Sequence, residues 1–188
     1  MNYINHSGGC EGADMCWENE GKDYGVITIA YSFYNHVQHS SNQHILTLAE
    51  LAEGWQHVII AEKTLNRHLE RIIYPYVRNL LSRNWYQVKN ADAIFAISSF
   101  QKKNETVKGG TGWAVQMAID NNKPVFLFEQ NDECWYQYDY NDKQFHVVTH
   151  TLVLTENFAG IGSRNLMLSG KIAITEIYKA HFIGRSNP

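Results

Sequence analysis

One feature narrows the folds open to this chain more than any other: a strand-to-helix junction built on glycine, which occurs three times. Ser7-Gly8-Gly9-Cys10-Glu11-Gly12-Ala13-Asp14 leads into a helical pattern from about Asp14. Gly109-Gly110-Thr111-Gly112 leads into a helix at Trp113, and Gly160-Ile161-Gly162-Ser163-Arg164 follows a strand and precedes a helix from about Leu166 to His181. Glycine is needed where the backbone takes positive φ or passes close to a ligand, and a helix start adds unpaired N–H groups and positive dipole. Together these make phosphate cradles, although any one such turn also serves tight packing alone.

The rest of the chain supplies what such junctions require. Short apolar, β-branched or aromatic runs at Val26–Tyr31, Ala93–Ser98, Val125–Phe128 and Phe158–Gly160 read as buried strands. Between them, Thr64–Ser82 carries leucines, isoleucines and Val77 at helical spacing with Pro75 as a kink or break, and Trp113–Asn121 is a further helix ended by Asn121-Asn122-Lys123-Pro124. Strands alternating with helices give an α/β fold with a Rossmann-like parallel sheet flanked by helices, and the glycine turns then fall at the carboxyl ends of its strands, where such sheets bind ligands. Residues 32–45 read as a long polar loop, and Asp132–Phe145, with Trp135, Tyr136, Tyr138 and Tyr140, as a lid, a hairpin or an oligomer contact.

At 188 residues the chain is expected to form one domain over 1–188. Hydrophobic residues at 44% and only three prolines exclude a disordered or low-complexity chain. Sixteen Lys+Arg against nineteen Asp+Glu, a net charge of -3, lack the positive field that nucleic-acid binding needs, and no apolar run is long enough for a membrane span. The first residues carry neither a basic start nor an apolar stretch, so a cytoplasmic protein is expected, with Cys10, Cys16 and Cys134 reduced. No residues signal a cofactor. His36, His39 and His44 come without an HExxH motif or a cysteine pair, and a polar loop accounts for them better than zinc does.

Ser7-Gly8-Gly9 through Gly12 and Asp14 resembles the SGGxxGxD turn of the SLOG superfamily, the Rossmann-type domains that include DprA-like, YpsA-like and lonely-guy proteins. Gly109-Gly110-Thr111-Gly112 resembles its GGxGT turn, Asn90–Ala96 the strand entry before it, and Ala159–Arg164 the GSR turn that follows the superfamily's first strand. In most relatives GSR opens the chain and SGG follows, so the order here implies a circularly permuted SLOG-like domain. The resemblance implies one of two functions. Lonely-guy enzymes cleave the N-glycosidic bond of nucleoside monophosphates with a PGGxGTxxE motif, but Gln116 stands at the Glu position, and an amide is no carboxylate base. Other SLOG domains bind nucleotide-derived signals without turnover. The expectation is therefore a phage-type, anti-defence sponge that sequesters an ADP-ribose-type or cyclic nucleotide signal, with no catalytic and no metal residues, acting as a homo-oligomer.

In that reading Gly8, Gly9, Gly109, Gly110, Thr111, Gly112 and Gly162 bring N–H groups to phosphate, Ser7 opens the first turn, Ser163 adds a hydroxyl and Arg164 pairs with an anion. Asp14 and Gln116 hold ribose hydroxyls, unless Asp14 is a helix cap and Gln116 an exposed helix position. Trp113 stacks on a base or packs under its turn. Arg67, Arg71 and Arg78 share one side of an unbroken Thr64 helix as a phosphate-reaching or a solvated stripe, whereas Arg83 and Asn84 lie nearer the strand entry and are better placed.

Overall fold

The computed structural model describes residues 2–184. In chain order its elements are β1 (Ile4–Ser7), α1 (Ala13–Asp23), β2 (Ile27–Ser32), β3 (Gln43–Ile45), α2 (Leu48–Leu65), a 3-10 turn (Leu69–Arg71) and α3 (Pro75–Lys89). Then come β4 (Ala93–Ser98), β5 (Phe100–Lys102), β6 (Thr106–Val107), α4 (Gly109–Asp120), β7 (Val125–Glu129), β8 (Cys134–Asp139), β9 (Gln144–Val147), β10 (Asn157–Gly162) and α5 (Leu168–Phe182). The result is α/β and Rossmann-like. Eight strands form one sheet in the order β3-β2-β1-β10-β4-β7-β8-β9, parallel from β3 to β7 and closed by an antiparallel β7-β8-β9 edge.

Alternation along the central strands builds two cores. In β4, Ile94 and Ala96 face the layer of α2, α3 and α4, while Ala93, Phe95 and Ile97 face α1 and α5. Buried on both faces, β4 reads as an uninterrupted apolar run, as central parallel strands do. On the α1/α5 side Trp17, fully buried, packs its ring 5.6 Å from Tyr178 and 6.0 Å from Phe158, and the Tyr178 hydroxyl donates to the Trp17 carbonyl at 3.0 Å. At the end of α5, His181 and Phe182 lie 4.8 and 5.1 Å from the ring of Tyr3, at the entry to β1.

Several boundaries correct the sequence reading. Thr64–Ser82 is not one helix: α2 ends at Leu65, Asn66 and His68 take left-handed φ of 49° and 59°, and Pro75 opens α3 at a position where its missing N–H costs nothing. The start of α2 carries a capping box that the sequence displays as Thr47-x-x-Glu50: Glu50 N donates to Thr47 Oγ1 at 3.2 Å and Thr47 N to Glu50 Oε2 at 2.7 Å. Helix α4 begins at Gly109, so the second glycine turn is the helix's own first turn. The loop 32–45 ends in the edge strand β3, and Asp132–Phe145 is largely the β8–β9 hairpin, which extends the sheet.

Candidate functional site

The helices after β10 and β4 leave on opposite sides of the sheet, α5 with the Trp17 core and α4 with the other. Neighbouring parallel strands whose connections diverge in this way leave a crevice beyond their carboxyl ends. A cavity of about 420 Å³ lies there, walled by the turn after β1, the turn after β10, the first turn of α4 and one face of α3. The β5–β6 hairpin brings the chain back to it: Lys108 N donates to the Ser99 carbonyl at 2.9 Å, which places Lys108 and Gly109 beside the end of β4.

The charges lining this cavity are mostly positive. Arg83, Lys108 and Arg164 face one carboxyl, Asp14. Asp14 Oδ2 accepts from Cys10 N at 3.3 Å and Oδ1 from Gly162 N at 3.1 Å, so it ties the first and third glycine turns together. Burial pushes its pKa up against the opposing pull of Arg83 and these hydrogen bonds. Arg83 is only 6% exposed; its Nη2 lies 3.2 Å from Cys10 Sγ, and the Gln87 amide oxygen accepts from Arg83 Nη1 and from Gly8 N, each at 2.5 Å. Its Nε has no partner among the described residues, an unusual state for a buried charged donor.

The positive field extends to the loop 32–45. His36 shares a hydrogen bond with Ser32 Oγ at 3.0 Å and stacks on Phe33, and its pKa is lowered to about 4, first by burial and then by the charges of Arg83 and Arg164. His44 instead faces Tyr31 and Glu50. Among the described residues, the three groups close enough to share a metal ion are Asp139, Asp142 and His146, all exposed at the β8–β9 hairpin, far along the sheet order from this cavity.

Of the expected ligand residues, Asp14, Arg83, Asn84, Gly109, Gly110, Thr111, Trp113, Gly162, Ser163 and Arg164 line the cavity. Several do other work than expected. The N–H of Gly8 is held by Gln87, that of Gly9 by Ser7 Oγ at 3.2 Å, that of Gly112 by the Lys108 carbonyl at 3.0 Å and that of Gly162 by Asp14. These donors are therefore occupied, whereas the first N–H groups of α4 at the wall are ones that a helix cannot satisfy internally. A Cβ at Gly8 would strike the Arg83 guanidinium, and one at Gly112 the Val107 carbonyl, whereas one at Gly110 would meet open space. Asp14 is not the cap of α1, a position held by Gly12, and its carboxylate braces the two turns. Gln116 sits outside the cavity, its Nε2 donating to Asp120 Oδ1 at 2.8 Å, and Ser7 is fully buried behind the first turn. Trp113 is 5% exposed and forms wall, as the packing alternative has it.

Other side chains take places that the sequence reading did not give them, and Gln87 was not singled out in it at all. Arg67 does not join Arg71 and Arg78 in a stripe; it donates to the carbonyls of Gly109, at 2.9 Å, and Val107, while Asn84 Nδ2 donates to the Gly110 carbonyl at 3.2 Å. Arg78 lies over Trp55 at 4.3 Å. Gln87 lies one helical turn after Arg83, and the buried trio Arg83, Asn84 and Gln87 on one face of α3 is a signal that the i, i+1, i+4 spacing carries. Ile72, Val77, Leu80 and Leu81 give the cavity an apolar side. No family model, curated protein or solved structure matches this chain.

Proposed function

We propose that this protein binds, and holds without turnover, a phosphorylated nucleotide-like molecule of the ADP-ribose or cyclic-nucleotide kind. The observation that carries the reading is the charge of the cavity wall: Arg83, Lys108 and Arg164 line it together with the first turn of α4, against the one carboxyl of Asp14. Such a donor set suits the oxygens of phosphate, and the Ile72–Leu81 side of the cavity suits a base. Capture of an immune-type signal is the role that binding without turnover fits.

A circularly permuted SLOG-like domain is the fold family we favour. Counted from β10, the inner parallel strands β2-β1-β10-β4-β7 take the order 3-2-1-4-5 of doubly wound nucleotide-binding sheets. The packing of Tyr3 on His181 and Phe182 brings the end of α5 to the start of β1, the juncture that a permutation would have joined. Binding is favoured over glycoside hydrolysis because Asp14 is engaged by backbone donors and Gln116 faces Asp120, which leaves the cavity wall without a free carboxylate to assist a departing base.

The test is incubation of the purified protein with nucleoside monophosphates, cyclic nucleotides and ADP-ribose derivatives, followed by separation, heat release and chromatography. A compound depleted from solution and recovered intact supports the reading. Free base with a ribose phosphate would overturn it in favour of a phosphoribohydrolase, and no depletion of any member would remove nucleotide binding altogether.

A further inference from the structure

The cations of the cavity wall suit phosphate, but its floor, at the end of β4, is polar and uncharged. Ser98 is the last residue of β4 and lies between two of the glycine turns: Ser163 N donates to the carbonyl of Ile97 before it at 2.8 Å, and Lys108 N to that of Ser99 after it at 2.9 Å. Strand alternation puts the Ser98 side chain on the face of Ile94 and Ala96, towards the layer of α3 and α4, and there it lines the cavity. The residue is 3% exposed, and its hydroxyl forms no hydrogen bond with any of the described residues. Buried hydroxyls are ordinarily paired, so one that opens onto a cavity is placed to pair with a ligand atom. Asn84, on α3, is a second such group. It is equally buried and lines the same cavity, and its Nδ2 donates to the Gly110 carbonyl, which leaves Oδ1 as an acceptor without a partner among the described residues.

Both groups stand against the start of α4, Asn84 through Gly110 and Ser98 through the bond from Lys108 to Ser99, and that first turn is the backbone suited to phosphate. In a nucleotide the sugar is the group next to phosphate, and the base lies beyond it, in this cavity towards Ile72, Val77 and Leu80. A hydroxyl that can donate or accept, beside an amide oxygen that accepts, matches the hydroxyls of a ribose. We propose that Ser98, with Asn84 Oδ1, holds the ribose hydroxyls of the ligand and makes the cavity selective for ribonucleotides over their deoxy counterparts. Ser98 Oγ donates to one ribose oxygen, and Asn84 Oδ1 accepts from a ribose hydroxyl. A deoxy ligand leaves both protein groups buried and unpaired, and that penalty discriminates against it; a site shaped for phosphate and base alone would not register the difference. The inference rests on the nucleotide-binding reading and narrows it to a ligand class.

The experiment titrates the full-length protein by calorimetry with three probes: ADP, 2′,3′-dideoxy-ADP, and inorganic pyrophosphate, which carries the anion without a sugar. ADP is expected to bind about tenfold more tightly than its dideoxy analogue, the scale of one or two neutral hydrogen bonds. Ser98→Ala should cut that ratio to about threefold or less. A general loosening of the fold would not move the ratio, since it weakens both nucleotides alike. Equal affinities of the wild type for ADP and the dideoxy analogue, or an undiminished ratio in Ser98→Ala, would overturn the inference and leave nucleotide binding standing. Binding of pyrophosphate without ADP would overturn it together with the nucleotide reading and leave an anion site, and binding of none of the three would remove the anion site as well. The wild-type comparison needs no variant, so it decides the matter even if Ser98→Ala folds poorly.

Discussion

Lowering the pH should destabilise this fold in part through one loop histidine, His36. In the native state His36 has its pKa lowered to about 4 by burial, Arg83 and Arg164, whereas in the unfolded chain it titrates near the ordinary 6.5. Below pH 6.5 the unfolded state therefore takes up the proton and the native state does not, so stability falls with the pH until native His36 itself titrates. The gap of 2.5 units limits the loss to about 3 kcal/mol by pH 4, with no contribution above pH 7. Urea unfolding of the wild type and of His36→Gln at a series of pH values isolates the effect, because every other acid-sensitive group is common to both. The stability difference should grow by about 1.2 kcal/mol per pH unit between pH 6 and 4.5, in favour of the variant. NMR titration of the His36 ring gives the native pKa directly, and Arg83→Gln should raise it by removing one repelling charge. An anion in the cavity should do the same, so protonated His36 should in turn tighten anion binding in acid. A native His36 that titrates near 6.5, or a pH-independent difference between the two proteins, would refute the reasoning.

Other substitutions separate packing from ligand contact. Arg83→Gln should weaken phosphate-bearing ligands about tenfold or more by calorimetry, the scale of a charge-assisted hydrogen bond. Gly112→Ala should lower stability by about 1–3 kcal/mol or more in urea, because the obstacle to its Cβ is the Val107 backbone carbonyl. Gly110→Ala should leave stability within about 1 kcal/mol, since its Cβ meets open space, yet reduce ligand affinity at a cavity wall that needs close backbone approach. Trp17→Ala should cost about 3–5 kcal/mol and leave His36 titration unchanged, since Trp17 is fully buried on the opposite side of the sheet.

The four strands expected from the sequence were legible because burial leaves a local mark. Ala93–Ser98 matches its expected bounds, since a strand covered on both faces must be apolar throughout, and the other expected strands differ only at their ends. The helix over Thr64–Ser82 failed for the opposite reason: apolar spacing continues across a gap in which the backbone does not, and Asn66 and Pro75 decide the matter by left-handed φ and a missing donor. Helix α2 and its capping pair Thr47 and Glu50 were not read from the sequence, although the Thr-x-x-Glu spacing marks such a start. The hairpin β8–β9 was open among three readings because edge strands lack the two-sided burial that makes a central strand recognisable.

For the site, the sequence by itself determined that three glycine junctions and a few cations exist, and that they belong at strand ends. Glycine's tolerance of positive φ and close approach is a property of the residue, so its placement is visible in one dimension. Only the tertiary structure decided which junction stays open. The N–H of Gly8 is claimed by Gln87, 79 positions later, and that of Gly162 by Asp14, 148 positions away in sequence but beside it in space. Arg67 braces the second turn, Arg83 enters the space that Gly8 leaves, and Gln116 turns to Asp120. A hydrogen bond is decided by distance and direction, and the chain acquires both only when β1, β10 and β4 come to lie side by side.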